Sequence, residues 1–366
     1  MSKSNKYTTI HYQNYLGLDE LLSTQKLRSE QLGKPAHDEM LFIIVHQVYE
    51  LWFKQIIHEL ESVILMFNEH KLDERSVGKA ISRLDRVERI LQLLVDQITV
   101  MESMTPLDFL DFREYLFPAS GFQSYQFRAV ESLLGLPKKS RITYHEKKYD
   151  SVFTQEIQEK LENIYKNGTL LDCVNKWLER IPFLNLGEFN FVAKYKEAVH
   201  AMLEKEREAI KSSELLTDEE KEKRIEMVGS TDTYFKAILS EDYHNQLMEE
   251  GKKKLSYRAT LAALFINLYR EEPILHLPFQ LLTNLVDIDD LMTTWRYRHA
   301  QMVLRMLGNK VGTGGSSGHN YLSETTRKHR IFSDFHAVST LLIPRSSLPI
   351  LPDEIKKQLS YYFTYK

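Results

Sequence analysis

The chain has 366 residues, 48 Lys+Arg against 51 Asp+Glu, and a formal net charge of -3. That length can bury a sizeable core, and the near-neutral balance offers neither the basic face that nucleic acid needs nor a polybasic membrane signal. A single cysteine, Cys173, excludes an intrachain disulfide and points to a reducing, cytoplasmic compartment. The N-terminal MSKSNKYTTI lacks the apolar stretch of a secretory signal, and no run of about 18 apolar residues marks a membrane span.

Helical periodicity dominates, and strand-like runs joined by hairpin dipeptides are hard to find. The first strong element is HDEMLFIIVHQVYELWFKQI, His37 to Ile56. Leu41, Val45, Val48 and Trp52 recur at helical spacing and predict a core face, while Phe42, His46, Tyr49 and Phe53 form a neighbouring stripe. His46 then stands alone among apolar neighbours with the Phe42 ring beside it. Such a histidine suits a small-molecule pocket. It is also what a core histidine bonded to a backbone carbonyl looks like, and from this segment alone that plainer account is favoured. Between Ile81 and Met104, the near-heptad series Leu84, Val87, Leu91, Leu94, Ile98 and Met101 predicts a second helix packed along the first.

In MTPLDFLDFREYLFPASGF, Thr105 is a good N-cap, Pro106 fits the first turn and Asp108 stands three residues after the cap. The helix should run to Phe117 and end before Pro118. Phe109 and Arg113 share a face at i, i+4. A guanidinium beside an aromatic ring can clamp a carboxylate bidentately, although a salt bridge to Asp108, Asp111 or Glu114 is the default. Residues 137–153 are basic and weakly patterned, which predicts a connector. From Leu203 to Met227 the density of Glu, Lys and Arg predicts a solvated helical excursion broken near Ser212-Ser213. Glu241 and His244 form an ExxH pair, but a carboxylate-bridged di-iron bundle needs a second pair and two further glutamates, and no second ExxH exists. With one cysteine, a thiolate-rich zinc site is excluded within the chain.

Helical patterning resumes from Leu255 to Leu307, punctuated by Pro273 and Pro278, with a restart expected near Asp287. There DDLMTTWRYRHAQMVLRML places Met292, Trp295, His299, Met302 and Met306 on one face. Imidazole is the usual axial donor to haem, so His299 could ligate one; by spacing alone a core histidine is again the commoner case. No CxxCH exists, so any haem would be held non-covalently. The loop Gly308 to Gly318 has five glycines, Thr313 and two serines. It lacks the Gly-Lys-Ser/Thr of a phosphate-binding loop and suits a connector or a lid equally. A last helical portion holds Pro344, Pro349 and Pro352. No internal repeat appears, and the pattern reads as one all-α domain over residues 1–366 with a charged insertion at about 203–228.

Four segments carry a resemblance: HDEMLFIIVHQVYELWFKQI, MTPLDFLDFREYLFPASGFQSYQFR, REEPILHLPFQLLTNLVDIDDLMTTWRYRHAQMVLRMLG and NKVGTGGSSG. They closely resemble the tryptophan 2,3-dioxygenase family from about Tyr7 to beyond Pro344, most loosely in the connector after Pro137 and in the charged insertion. The resemblance implies an all-helical bundle of the indoleamine/tryptophan dioxygenase type. It implies haem b, ferrous when active and one per subunit, in a cytoplasmic homotetramer built as a dimer of dimers. The implied reaction inserts both atoms of O2 across the indole C2–C3 bond of L-tryptophan to give N-formyl-L-kynurenine, the first step of tryptophan catabolism by the kynurenine pathway. By resemblance His299 matches the proximal haem ligand and His46 the distal histidine on the indole N–H. Arg113 matches the carboxylate-pairing arginine, and Thr313 the threonine at the ammonium and carboxylate end. Phe42, Phe109 and Leu116 match the indole walls. Ser120 and Gly121 match the distal haem side, and Trp295 and Tyr321 haem-proximal positions. Tyr12 and Tyr15 match residues of an N-terminal arm, 1–20, that reaches a neighbouring subunit's pocket. Three other readings remain open on sequence: a relative acting on another indole or on D-tryptophan, a non-catalytic haem-binding sensor, and a helical bundle with no cofactor.

Overall fold

A computed structural model describes residues 9–69, 73–142, 150–186, 188–308, 310 and 318–360. Three short N-terminal helices, α1 (Tyr12–Leu16), α2 (Leu18–Leu22) and α3 (Arg28–Gln31), lead into two long ones, α4 (Glu39–Phe67) and α5 (Glu74–Met101). Then follow α6 (Pro106–Arg113), α7 (Tyr125–Leu134), α8 (Gln155–Asn167) and α9 (Leu170–Glu179). A minimal antiparallel pair, β1 (Asn185–Leu186) and β2 (Phe189–Asn190), precedes α10 (Phe191–Ser212), α11 (Asp218–Ile238), α12 (Glu241–Glu249) and α13 (Tyr257–Leu268). The chain ends in α14 (His276–Leu307), α15 (Gly318–Lys328), α16 (Ser333–Val338) and α17 (Asp353–Leu359). The all-α class expected from the sequence is what the described residues form, β1 and β2 aside.

Helix starts follow side-chain chemistry. Asp73, Ser124, Asn190, Ser240 and Ser256 each accept a backbone N–H of the first turn, and Thr105 and Thr169 form full capping boxes with Asp108 and Asp172. The heptad series of α5 is buried throughout, as its spacing predicts, and packs against α4 and α14. Tyr49 Oη donates to the Leu94 carbonyl at 2.8 Å and ties α4 to α5.

Four expectations need correction. Helix α4 runs eleven residues past Ile56, and its deep face is Val45, Phe53, Ile56, Leu60, Val63 and Phe67, while Leu41, Val48 and Trp52 are half-buried. By length and composition α4 could cross a membrane. His46, Glu50 and Lys54 interrupt its apolar run. Helix α6 stops at Arg113 and tightens into a 3-10 turn, Glu114–Leu116, because Pro118 forces Phe117 into an extended conformation. Finally, α14 does not restart near Asp287. Pro278 sits in its first turn, where no N–H is needed, and the helix continues for 32 residues.

The charge-dense stretch forms the distal half of α10 and the start of α11, broken at Ser213 as expected. Arg207 Nη2 meets Asp232 Oδ2 at 3.4 Å across this hairpin. His244 is a core histidine, buried with Nε2 2.8 Å from the Leu255 carbonyl, which removes the ExxH metal reading.

Candidate active site

The N-terminal half of α4, α6 with its 3-10 turn, and the C-terminal half of α14 converge on a small apolar cluster separate from the main core. Ala36, Val45, Met101, Met104, Phe109, Phe112 and Met306 form its buried part, with Phe42, Leu116 and Met302 among the side chains packed on it. The Phe42 ring lies 4.1 Å from His46, 5.9 Å from Phe109 and 5.5 Å from Phe112 (centroid distances). The predicted Phe42, Phe109 and Leu116 are thus brought to one wall. Phe112, fully buried at its centre, was not singled out from the sequence. Its i, i+3 relation to Phe109 was the available signal. Arg113, the last residue of α6, is half-buried at the edge of this wall.

His46 Nδ1 lies 2.7 Å from the Phe42 carbonyl. A carbonyl only accepts, so Nδ1 carries the proton and the neutral ring presents its Nε2 lone pair outward. The ring is open to solvent, yet burial is the largest influence on its pKa and lowers it, opposed by the Phe42 carbonyl and Glu50.

His299 sits on α14 with its ring 5.1 Å from Trp295. Burial, with a smaller contribution from His46, pushes its pKa down to about 4. The two imidazoles are therefore close enough for the charge of one to bear on the other, and both are neutral at pH 7. Among the described residues His299 Nδ1 is shut away from solvent and has no hydrogen-bond partner. Trp295 packs against Phe127 at 5.0 Å and Tyr49 at 6.0 Å. Ser120 caps the 3-10 turn Gly121–Gln123 by accepting the Phe122 N–H, and a Cβ added at Gly121 would meet nothing within 4 Å. The Phe122 ring meets Tyr321 of α15 edge-on at 4.8 Å.

These features fit a haem: a neutral imidazole with a free nitrogen, a second one across a shared space, and aromatic side walls. Two predicted elements stand apart. Thr313 lies outside the described residues. Tyr12 and Tyr15 are 74% and 72% exposed on a helix that buries nothing within the chain.

The family model described as tryptophan 2,3-dioxygenase matches residues 2–342. A tryptophan 2,3-dioxygenase of Bdellovibrio bacteriovorus is 49% identical over 98% of this chain and 100% of its own length. That of Mus musculus is 47% identical over 95% and 86%, and that of Xenopus laevis 45% identical over 98% and 88%. With a family model spanning the site helices and relatives of this closeness in bacteria and vertebrates, the chain belongs to the tryptophan 2,3-dioxygenase family.

Proposed function

We propose that this protein is a haem-dependent dioxygenase that inserts both atoms of O2 across the indole C2–C3 bond of L-tryptophan, giving N-formyl-L-kynurenine at the start of the kynurenine pathway. The observation that carries the reading is the convergence of two neutral histidines, on α4 and α14, beside an aromatic wall that ends in an arginine. His299 would hold the haem b iron, one per subunit and ferrous when active, with Trp295 and Tyr321 on that side and Ser120 and Gly121 on the other. Bound haem supplies the chemistry of dioxygen activation.

The chain's own residues orient the substrate. Nε2 of His46 accepts the indole N–H, the role its fixed tautomer suits. It positions the ring and need not remove the proton. Phe42, Phe109 and Leu116 flank the indole and exclude water. Arg113 pairs with the substrate carboxylate, since a zwitterion in an apolar pocket needs both charges met. Thr313 is proposed at the ammonium and carboxylate end, with the Gly-rich loop closing over the site. Holding the indole in one orientation lowers the barrier by proximity.

The assembly is proposed as a homotetramer, a dimer of dimers, in which Tyr12 and Tyr15 of the arm 1–20 reach a neighbouring subunit's pocket. Their exposure supports this, as does the stripe of Met40, Ile44 and Leu51 on α4, each at least 39% exposed. We take residues 1–366 as one domain and place it in the cytoplasm without nucleic-acid or membrane partners, on the single buried thiol, the balanced charge and the packing of α4 against α5, α7 and α9. Haem titration of the wild-type protein and His299→Ala tests the reading. The wild-type protein should bind haem with a Soret band that the variant loses, and identical spectra would refute the ligand assignment.

A further inference from the structure

Glu131, on α7, is fully buried, and its two carboxylate oxygens serve different partners. Oε2 accepts from Arg141 at 2.7 Å and from Arg128 at 3.0 Å. Oε1 accepts from Arg296 at 2.9 Å and lies 3.4 Å from His329 Nδ1. Arg296 also donates through Nη1 to the His329 carbonyl at 3.3 Å. Burial would raise the Glu131 pKa, but the guanidinium charges and the His329 contact outweigh it and hold the group ionised. One carboxylate therefore joins α7, the segment after it, α14 and the end of α15.

Arg296 stands three residues before His299 and so on the same side of α14. A ligating imidazole is ordinarily aimed by a hydrogen bond to its other nitrogen. His299 Nδ1 has no such partner among the described residues. Its aim is left to the rotation of α14 and to packing on Trp295. Helix α7 touches this turn twice: Phe127 packs on Trp295 at 5.0 Å, and Glu131, one turn on, takes Arg296.

We propose that Glu131, acting through Arg296, is a positioning residue for His299: the buried pair fixes the rotation of α14 and thereby aims the imidazole at the haem iron. The proposal rests on the haem reading above and adds to it a residue that never touches cofactor or substrate. It assigns to a buried ionic network a specificity role, the use for which such networks are best suited, since buried ion pairs contribute little net stability.

The test is resonance Raman spectroscopy of the ferrous holoenzyme, reading the iron–imidazole stretching band, together with haem release and thermal midpoint. Arg296→Lys keeps the charge but cannot span both Glu131 and the His329 carbonyl. It should shift the band and speed haem release about tenfold, the low end for changes to residues that orient a metal ligand without touching the metal. Arg141→Lys disturbs the same carboxylate from its other oxygen; it should lower the thermal midpoint and leave the band in place. Glu131→Asp probes the same link from the opposite end and should shift the band as Arg296→Lys does, so the question stays answerable if one variant does not fold. Bands at the wild-type position in Arg296→Lys and Glu131→Asp would overturn the proposal, as would an equal shift in Arg141→Lys, which would mark the network as merely structural. A wild-type holoenzyme lacking the band altogether would instead overturn the His299 ligand assignment, and the proposal with it.

Discussion

Removing Arg113 isolates the recognition of the substrate carboxylate. The guanidinium ends α6 beside a wall made of Phe42, Phe109, Phe112 and Leu116. None of these side chains can hydrogen-bond a carboxylate. In Arg113→Ala the charge would enter this apolar setting without its partner. Truncating one member of a buried, hydrogen-bonded charge pair costs about 2–5 kcal/mol. Arg113 is half-buried, so the lower part of that range applies, about 2–3 kcal/mol, or roughly a 30- to 150-fold loss in kcat/KM for L-tryptophan. The assay is steady-state turnover of haem-loaded protein with L-tryptophan and with tryptamine, which lacks the carboxylate. The variant should lose the full factor on L-tryptophan and almost nothing on tryptamine. An equal loss on both would mean that the substitution damaged the pocket as a whole. No loss on either would remove Arg113 from the site.

His46 predicts a pH profile. Its folded-state pKa is lowered below the usual histidine value by burial, so the ring is mainly neutral near pH 7 and above, and acid converts Nε2 from acceptor to donor. The kcat/KM for L-tryptophan should be level from about pH 6.5 upward and fall only on the acid side of the usual histidine value, whereas an acid limb centred above pH 7 would contradict the assigned state. Phe112 has no exposed surface and supports both Phe42 and Phe109. Phe112→Ala should cost about 3–5 kcal/mol in denaturant unfolding and raise KM, and a loss under 1 kcal/mol would show that the aromatic wall is not packed as described.

The architecture was legible wherever periodicity and caps agreed. The Thr105-Pro106-Asp108 box and the α5 heptads are local signals, and they appear in the fold as they read in the chain. Pro278 misled because proline in a first turn and proline as a breaker look alike until the helix start is known. The site was legible as residue types but ambiguous as chemistry. His46 and His299 read as lone histidines in apolar helical stripes, and His244 as half of an ExxH pair. Only the fold shows His244 buried against the Leu255 carbonyl and His46 brought close enough to His299 to bear on its pKa. The Glu131 network escaped the reading for a related reason: its members lie on α7, α14 and the segments after α7 and α15, Glu131 and His329 alone standing 198 positions apart, and no local pattern joins them.

The most direct test of the central claim is isotopic. Reduced, haem-loaded protein is given L-tryptophan under ¹⁸O-labelled dioxygen in ordinary water, and the promptly quenched product is weighed by mass spectrometry. The account predicts N-formyl-L-kynurenine carrying two labelled oxygens from one O2. A product with one labelled oxygen, or none, would contradict insertion of both atoms, and absence of the product would refute the proposed activity.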